Sequence, residues 1–213
     1  EKAYAEYDRL SAKVFGKDEA ADLIYRSSFC CLKNGDYERA EMGFERLRGN
    51  SKYRNEVDFY TAYILYAKGD YKKAEEGFRK VSPRSKMGES AQYYICQIRY
   101  SESDYANVVA IGKKLQGAEL SPEMEAELLR IVGESEYYLG NNARAIDLLT
   151  KYLDNIDEPQ RSSLYILGVA EYREGDNASA VEHLDGVVGE SDALAQSAYL
   201  YIGQAYLRNG NMT

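Results

Sequence analysis

The sequence predicts an all-α chain, a solenoid of antiparallel helix pairs with about 12 helices. Three observations carry the prediction. A short turn signal recurs at near-constant spacing, small and bulky residues stand at fixed offsets from it, and no proline falls inside a predicted helix.

The turns are Asn34-Gly35-Asp36, Lys68-Gly69-Asp70, Glu102-Ser103-Asp104, Leu139-Gly140-Asn141, Glu174-Gly175-Asp176 and Asn209-Gly210-Asn211. Their central residues lie 34, 34, 37, 35 and 35 positions apart. Glycine there ends a helix because it enters the left-handed region without a Cβ clash, and the Asp or Asn that follows caps the next helix. Between Val57 and Val81 the unit is clearest. Val57, Tyr60, Thr61, Ile64, Leu65 and Tyr66 share a broad face before Gly69, and Tyr71, Ala74, Phe78 and Val81 share one after it.

Five residues after each turn centre stand Ala40, Ala74, Ala145 and Ala180, with Val108 the exception. Nine after stand Phe44, Phe78, Leu149 and Leu184, with Gly112 the exception. Seven before stand Ser28, Ala62, Cys96, Gly133, Gly168 and Gly203. Small residues at matched heights on both helices are what close backbone approach requires.

The whole chain reads as a single domain. Residues 1–16 are expected to form the second helix of a preceding repeat, with Ala3, Tyr7, Leu10 and Val14 on one face. Repeats follow at 18–52, 53–86, 87–120, 121–157 and 158–190, and residues 191–213 give the first helix of a sixth. Pro83, Pro122 and Pro159 all fall between repeats or at a helix start. The third repeat, degenerate around Ser103 to Leu115, is expected to pack at a distorted angle. The last helix is expected to leave Tyr199, Ile202 and Tyr206 uncovered, which implies a fragment of a longer repeat protein and a surface for self-association.

Composition excludes several functions. The chain has 213 residues, is 45% apolar and 29% charged, and carries a net charge of −8. Scattered Lys and Arg answered by nearby acids argue against nucleic-acid binding. No apolar run is long enough to span a membrane. Cys30, Cys31 and Cys96 have neither metal-ligand nor disulfide spacing and are expected to be buried thiols. His183 has no nucleophile motif beside it and is expected to be an inert surface group. The acidic residues follow solvent-facing positions, so no acid/base pair is expected. Asn177-Ala178-Ser179 is a glycosylation sequon attributable to chance. No catalytic residue, metal or cofactor is predicted, and the chain is expected not to be an enzyme.

The period and the paired small positions resemble the tetratricopeptide repeat family over nearly the whole chain. The aromatic that the family carries on its first helix is mostly missing, since Ile24, Asp58, Gln92, Leu129, Leu164 and Tyr199 stand there. The resemblance implies a right-handed superhelix whose first helices line a concave groove. It implies that positions ten, six and three before each turn face that groove. Of 21 tyrosines and five phenylalanines, Tyr25, Phe29, Phe59, Tyr63, Tyr66, Tyr93, Tyr100, Tyr137, Tyr165 and Tyr172 would then form an aromatic stripe for a protein or peptide partner. The alternative is that these rings pack between repeats with their hydroxyls wet. Chaperone-binding members grip a terminal carboxylate with Lys, Asn and Arg, but Tyr25, Phe29, Tyr60, Ser90 and Tyr94 occupy the matching places, so that reading is rejected. Tyr-rich first helices with Gly-Asp-Tyr turns look like bacterial cell-envelope repeat proteins, which favours the periplasm over the cytoplasm. The competing reading is a sensor or regulatory arm of a larger signalling protein.

Overall fold

A computed structural model describes residues 16–210; all but the last residue of the helix expected at 1–16 lie outside the described residues. Among the described residues there are eleven α-helices and no strand. They are α1 (Lys17–Lys33), α2 (Tyr37–Arg46), α3 (Arg54–Ala67), α4 (Tyr71–Phe78), α5 (Gly88–Ser101) and α6 (Tyr105–Lys114). Then come α7 (Pro122–Tyr138), α8 (Asn142–Leu153), α9 (Arg161–Glu174), α10 (Asn177–Asp185) and α11 (Ala193–Arg208). The chain divides into two compact units. One ends at Ile98 and the other begins at Arg99, so the division falls within α5.

The turns share one geometry. Gly35, Gly69, Gly140, Gly175 and Gly210 have φ between 72° and 90°, and Ser103 takes the same region at φ 59°. Behind each, an amide closes a wide turn onto the preceding helix: Asp36 N to Cys31 O at 2.9 Å, Asp70 N to Leu65 O at 2.9 Å, Asp176 N to Glu171 O at 3.0 Å. The carboxylates of Asp36, Asp70 and Asp176 then accept from the amides of Arg39, Lys73 and Ser179. Asp104 and Asn141 break this pattern. Neither caps with its side chain; Asp104 accepts from Asn107 Nδ2 and Asn141 Nδ2 donates to Glu136.

Close approach within hairpins is achieved in two ways. In the first unit small residues face each other: a Cβ on Gly77 would stand 2.7 Å from the Cβ of Ala62, and Ser28 faces Gly43 likewise. In the second unit glycine on the first helix receives leucine from the second. Leu149 lies over Gly133 and Leu184 over Gly168.

Successive hairpins lock by one repeated contact. Phe44 of α2 stacks on Tyr60 of α3 at 5.4 Å, and Phe78 of α4 stacks on Tyr94 of α5 at 5.2 Å. Further along, leucine replaces the phenylalanine: Leu149 shares a core cluster with Ile166, and Leu184 one with the ring of Tyr201. The third repeat departs from this. Gly112 offers no side chain, and Val132 of α7 moves in until a Cβ on Gly112 would meet its Cγ2 at 2.5 Å.

Four sequence expectations are corrected. Cys31 and Cys96 are buried, but Cys30 is exposed because it sits one step around α1 from Cys31. Tyr71 is exposed and leans on Tyr66 instead of entering the core. On α11, Tyr199 and Tyr206 are exposed together with Leu200 and Leu207, whereas Ile202 is buried against Leu184 and Val187. Finally, Glu75, Glu134, Glu136 and Glu171 are buried, although the acids were expected to face solvent.

Candidate interaction surfaces

In the first unit, Tyr25, Phe29, Phe59, Tyr63, Tyr66 and Tyr93 belong to one network of rings. Phe59 and Tyr93 are buried, and the other four are half-buried. Tyr25 stacks on Tyr53 at 4.6 Å, while Phe29 meets Tyr60 edge-on at 5.4 Å. Tyr63 and Tyr66 meet Tyr94 edge-on at 5.4 and 5.1 Å. These geometries follow the ring quadrupole, positive edge to negative face. Tyr66 Oη donates to Gln97 Oε1 at 2.8 Å, and Gln97 Nε2 donates to the Tyr93 oxygen at 2.7 Å. Burial pushes the Tyr94 phenol up to about 12 and raises that of Tyr60 further, so both rings stay neutral.

Part of this network opens to solvent. Phe29, Tyr37, Tyr60, Tyr63 and Tyr94 line a cleft of about 470 Å³, with Lys33 at its margin. Lys33 Nζ lies 5.9 Å from the Phe29 ring centre. Tyr37, Lys33, Tyr60 and Tyr94 were not among the expected groove residues. Their signal was available, since Lys33 and Tyr37 flank the turn at Gly35, and Tyr60 and Tyr94 share an offset nine before their turns.

In the second unit, Tyr100, Tyr137, Tyr165 and Tyr172 are drawn into polar contacts. Tyr172 is buried and the other three are half-buried. Tyr165 meets Tyr201 edge-on at 6.2 Å. Arg173 lies over Tyr137 at 4.8 Å and Arg208 over Tyr172 at 3.8 Å, each arginine two residues before its own turn centre. Tyr100 Oη donates to Glu134 Oε2. The remaining oxygen of Glu134 accepts from Arg130 Nη1 at 3.0 Å and from Ser163 Oγ at 2.6 Å. Arg130 also forks onto Glu127 at 2.8 and 2.6 Å.

Arg130 is 8% exposed and Glu134 is 2% exposed, so this is a buried ion pair whose viability depends on complete hydrogen bonding. Burial works to lower the Arg130 pKa, but bonding to Glu127 and the charges of Glu134 and Glu127 outweigh it and hold the guanidinium charged. Burial, then the bond to Glu134, raises the Tyr100 phenol and keeps it a donor. The offsets ten and six before the turn, aromatic in the first two repeats, thus hold an arginine and a glutamate in the fourth.

His183 is half-buried, and its Nδ1 lies 2.8 Å from Glu171 Oε2, which corrects the expectation of an inert surface group. Its pKa is raised, first by the bond to Glu171 and against the cost of burial. No group of three or more His, Cys, Asp or Glu side chains is placed to hold a metal among the described residues. Nor is any described helix long and apolar enough to cross a membrane.

These features define a repeat protein of helical hairpins with side-chain surfaces suited to partner contact. The tetratricopeptide repeat family model matches residues 32–85 and 132–195, more than half of the chain, and the chain belongs to that family. A comparison with curated proteins finds no match. Among solved structures, YrrB, described as a tetratricopeptide repeat protein with an unusual peptide-binding site, is similar with a TM-score of 0.66 at 17% identity, over 79% of this chain and 84% of YrrB. PilF of Pseudomonas aeruginosa is similar at 0.63 and 17% identity, over 91% and 92% of the two chains. MamA of Desulfovibrio magneticus RS-1 is similar at 0.61 and 22% identity, over 78% and 92%. At these identities the likeness establishes the fold, an all-α solenoid of helix pairs. Proteins of this family are typically non-catalytic scaffolds that bind protein or peptide partners.

Proposed function

We propose that the chain is a non-enzymatic scaffold that takes a segment of a partner polypeptide in the aromatic cleft of its first unit. The supporting observation is the set of half-buried rings around Lys33. Phe29, Tyr60, Tyr63 and Tyr94 are fixed by each other and by Phe44 and Phe78 beneath, so their open faces are preorganised and lose little entropy on binding. Aromatic-lined grooves of this kind suit extended segments with apolar or proline side chains, and Lys33 favours an acidic neighbour in the segment. In the second unit Tyr137, Tyr172 and Tyr100 are already engaged by Arg173, Arg208 and Glu134, which favours the first unit as the binding surface. The test replaces Phe29 and Tyr63 with serine and measures recovery of the native partner from cells expressing the variant. Recovery falls about tenfold or more if these rings anchor the segment. Unchanged recovery with an unchanged circular dichroism spectrum would end the proposal.

A further inference from the structure

The third repeat carries a second site. Its origin is Gly112, which stands where the other repeats place Phe44, Phe78, Leu149 and Leu184, each essentially buried. Val132 closes over Gly112 itself, but a cleft of about 260 Å³ remains between the end of α6, residues 116–120, α7 and α8. Its wall is aliphatic, formed by Leu115, Leu120, Leu128, Leu129, Val132 and Leu148, and no aromatic ring lines it. A wall without flat faces suits a flexible hydrocarbon chain better than a ring.

The charged groups on the lining are mostly basic in a chain that is acidic as a whole. Lys113, Arg144 and Lys151 are all exposed there. Asp147 alone serves two of them, accepting from Arg144 and Lys151 at 2.8 Å each. Lys113 has no ion-pair partner among the described residues. Of the lining acids, Glu125 is exposed, and Glu136 is buried with Oε2 engaged by Asn141 Nδ2 at 2.7 Å. An incoming carboxylate therefore meets, on the lining of one aliphatic cleft, an ammonium without an ion-pair partner among the described residues and a shared ion pair.

We propose that this cleft binds a free aliphatic monocarboxylate of medium chain length, the hydrocarbon in the leucine-lined slot and the carboxylate at Lys113 and Lys151. The site shares no residue with the aromatic cleft, so the failure of either reading leaves the other standing. The probe is decanoate, titrated calorimetrically below its micellar concentration. Decanol and a short peptide ending in leucine serve as comparators. Decanoate binds saturably, at one per chain, and more tightly than either comparator. Leu120→Trp, a change on the loop wall, plugs the slot and abolishes binding. The double change Lys113→Gln and Lys151→Gln leaves the slot intact and weakens decanoate about tenfold by removing charged hydrogen bonds, with no effect on decanol. Absence of saturable binding, decanol binding as tightly as decanoate, or tighter binding of the peptide would each overturn the proposal. So would full affinity in the double variant.

Discussion

Glu171 and His183 show what one residue pair sets in this molecule. Glu171 is buried four residues before its turn centre, and its carboxylate receives the imidazole of His183 from the facing helix α10. Glu182 on α10 adds to the field that holds the proton, and the Asp176 carboxylate feels the imidazolium in turn. The folded-state pKa of His183 is therefore above its ordinary 6.5. A group with a raised folded pKa contributes stability that is fully present below 6.5 and is lost as pH climbs through the higher, folded value. The melting temperature is expected to decline from about pH 6.5 upward by this contribution, and His183→Gln should flatten that decline. Melting curves recorded at steps across the range check it; an equal slope in the variant would assign the pH dependence elsewhere. At the acid end, Asp176 and Asp192 act in the opposite sense. Their depressed carboxyl pKa values, from bonding to Ser179 and Arg161 respectively, give stability that disappears as pH falls through them.

At the level of the helix pair, the turn residue decides how well each hairpin closes. Ser103 is held at φ 59° in a position that five other turns give to glycine, at a cost of about 1 kcal/mol for the Cβ. Ser103→Gly should stabilise the chain by about 0.5 kcal/mol, the strain relief being partly offset by the larger entropy of the unfolded glycine. Denaturant titration reads this as a higher midpoint at constant slope; a lower midpoint would mean that the serine hydroxyl contributes more than the Cβ costs. The turns were readable in the sequence because only glycine, or a strained substitute, fits their backbone. The pairing of Ala62 and Gly168 with the opposite helix was readable for a similar reason, since close approach needs a missing side chain at a fixed height. What was not readable came from compensation outside the offset. Nothing one repeat away marks Val132 as the residue that covers Gly112. An Arg–Glu pair four residues apart looks the same on a solvated helix as in the buried cluster of Arg130 and Glu134. Its burial is decided by Tyr100 and Ser163, which belong to two other repeats. Which rings of the expected stripe are engaged within the fold was hidden for that same reason: Arg173, Arg208 and Gln97, each about one repeat from the ring it meets, decide it.

Across the whole molecule, every locking contact described joins residues about one repeat apart or closer. Phe44 with Tyr60, Tyr66 with Gln97, Glu134 with Ser163, and Tyr172 with Arg208 are all neighbours in this sense. Stability in such a chain approximates a sum of repeat terms and nearest-neighbour interface terms, so damage stays local. Leu184 tests this well. It is fully buried on α10, fills the space over Gly168, and packs on Val187, Ala198 and Ile202. Leu184→Ala removes those contacts and leaves a cavity, a loss of about 2–5 kcal/mol. Hydrogen exchange followed by mass spectrometry should show faster exchange across α9, α10 and α11, with α1 to α4 keeping their protection. Uniform acceleration along the chain would instead mean a single cooperative transition, as in an ordinary globular core. The distinction bears on function, because in the additive case the rings of the first unit keep their arrangement while the last hairpins open, and partner recovery survives the mutation.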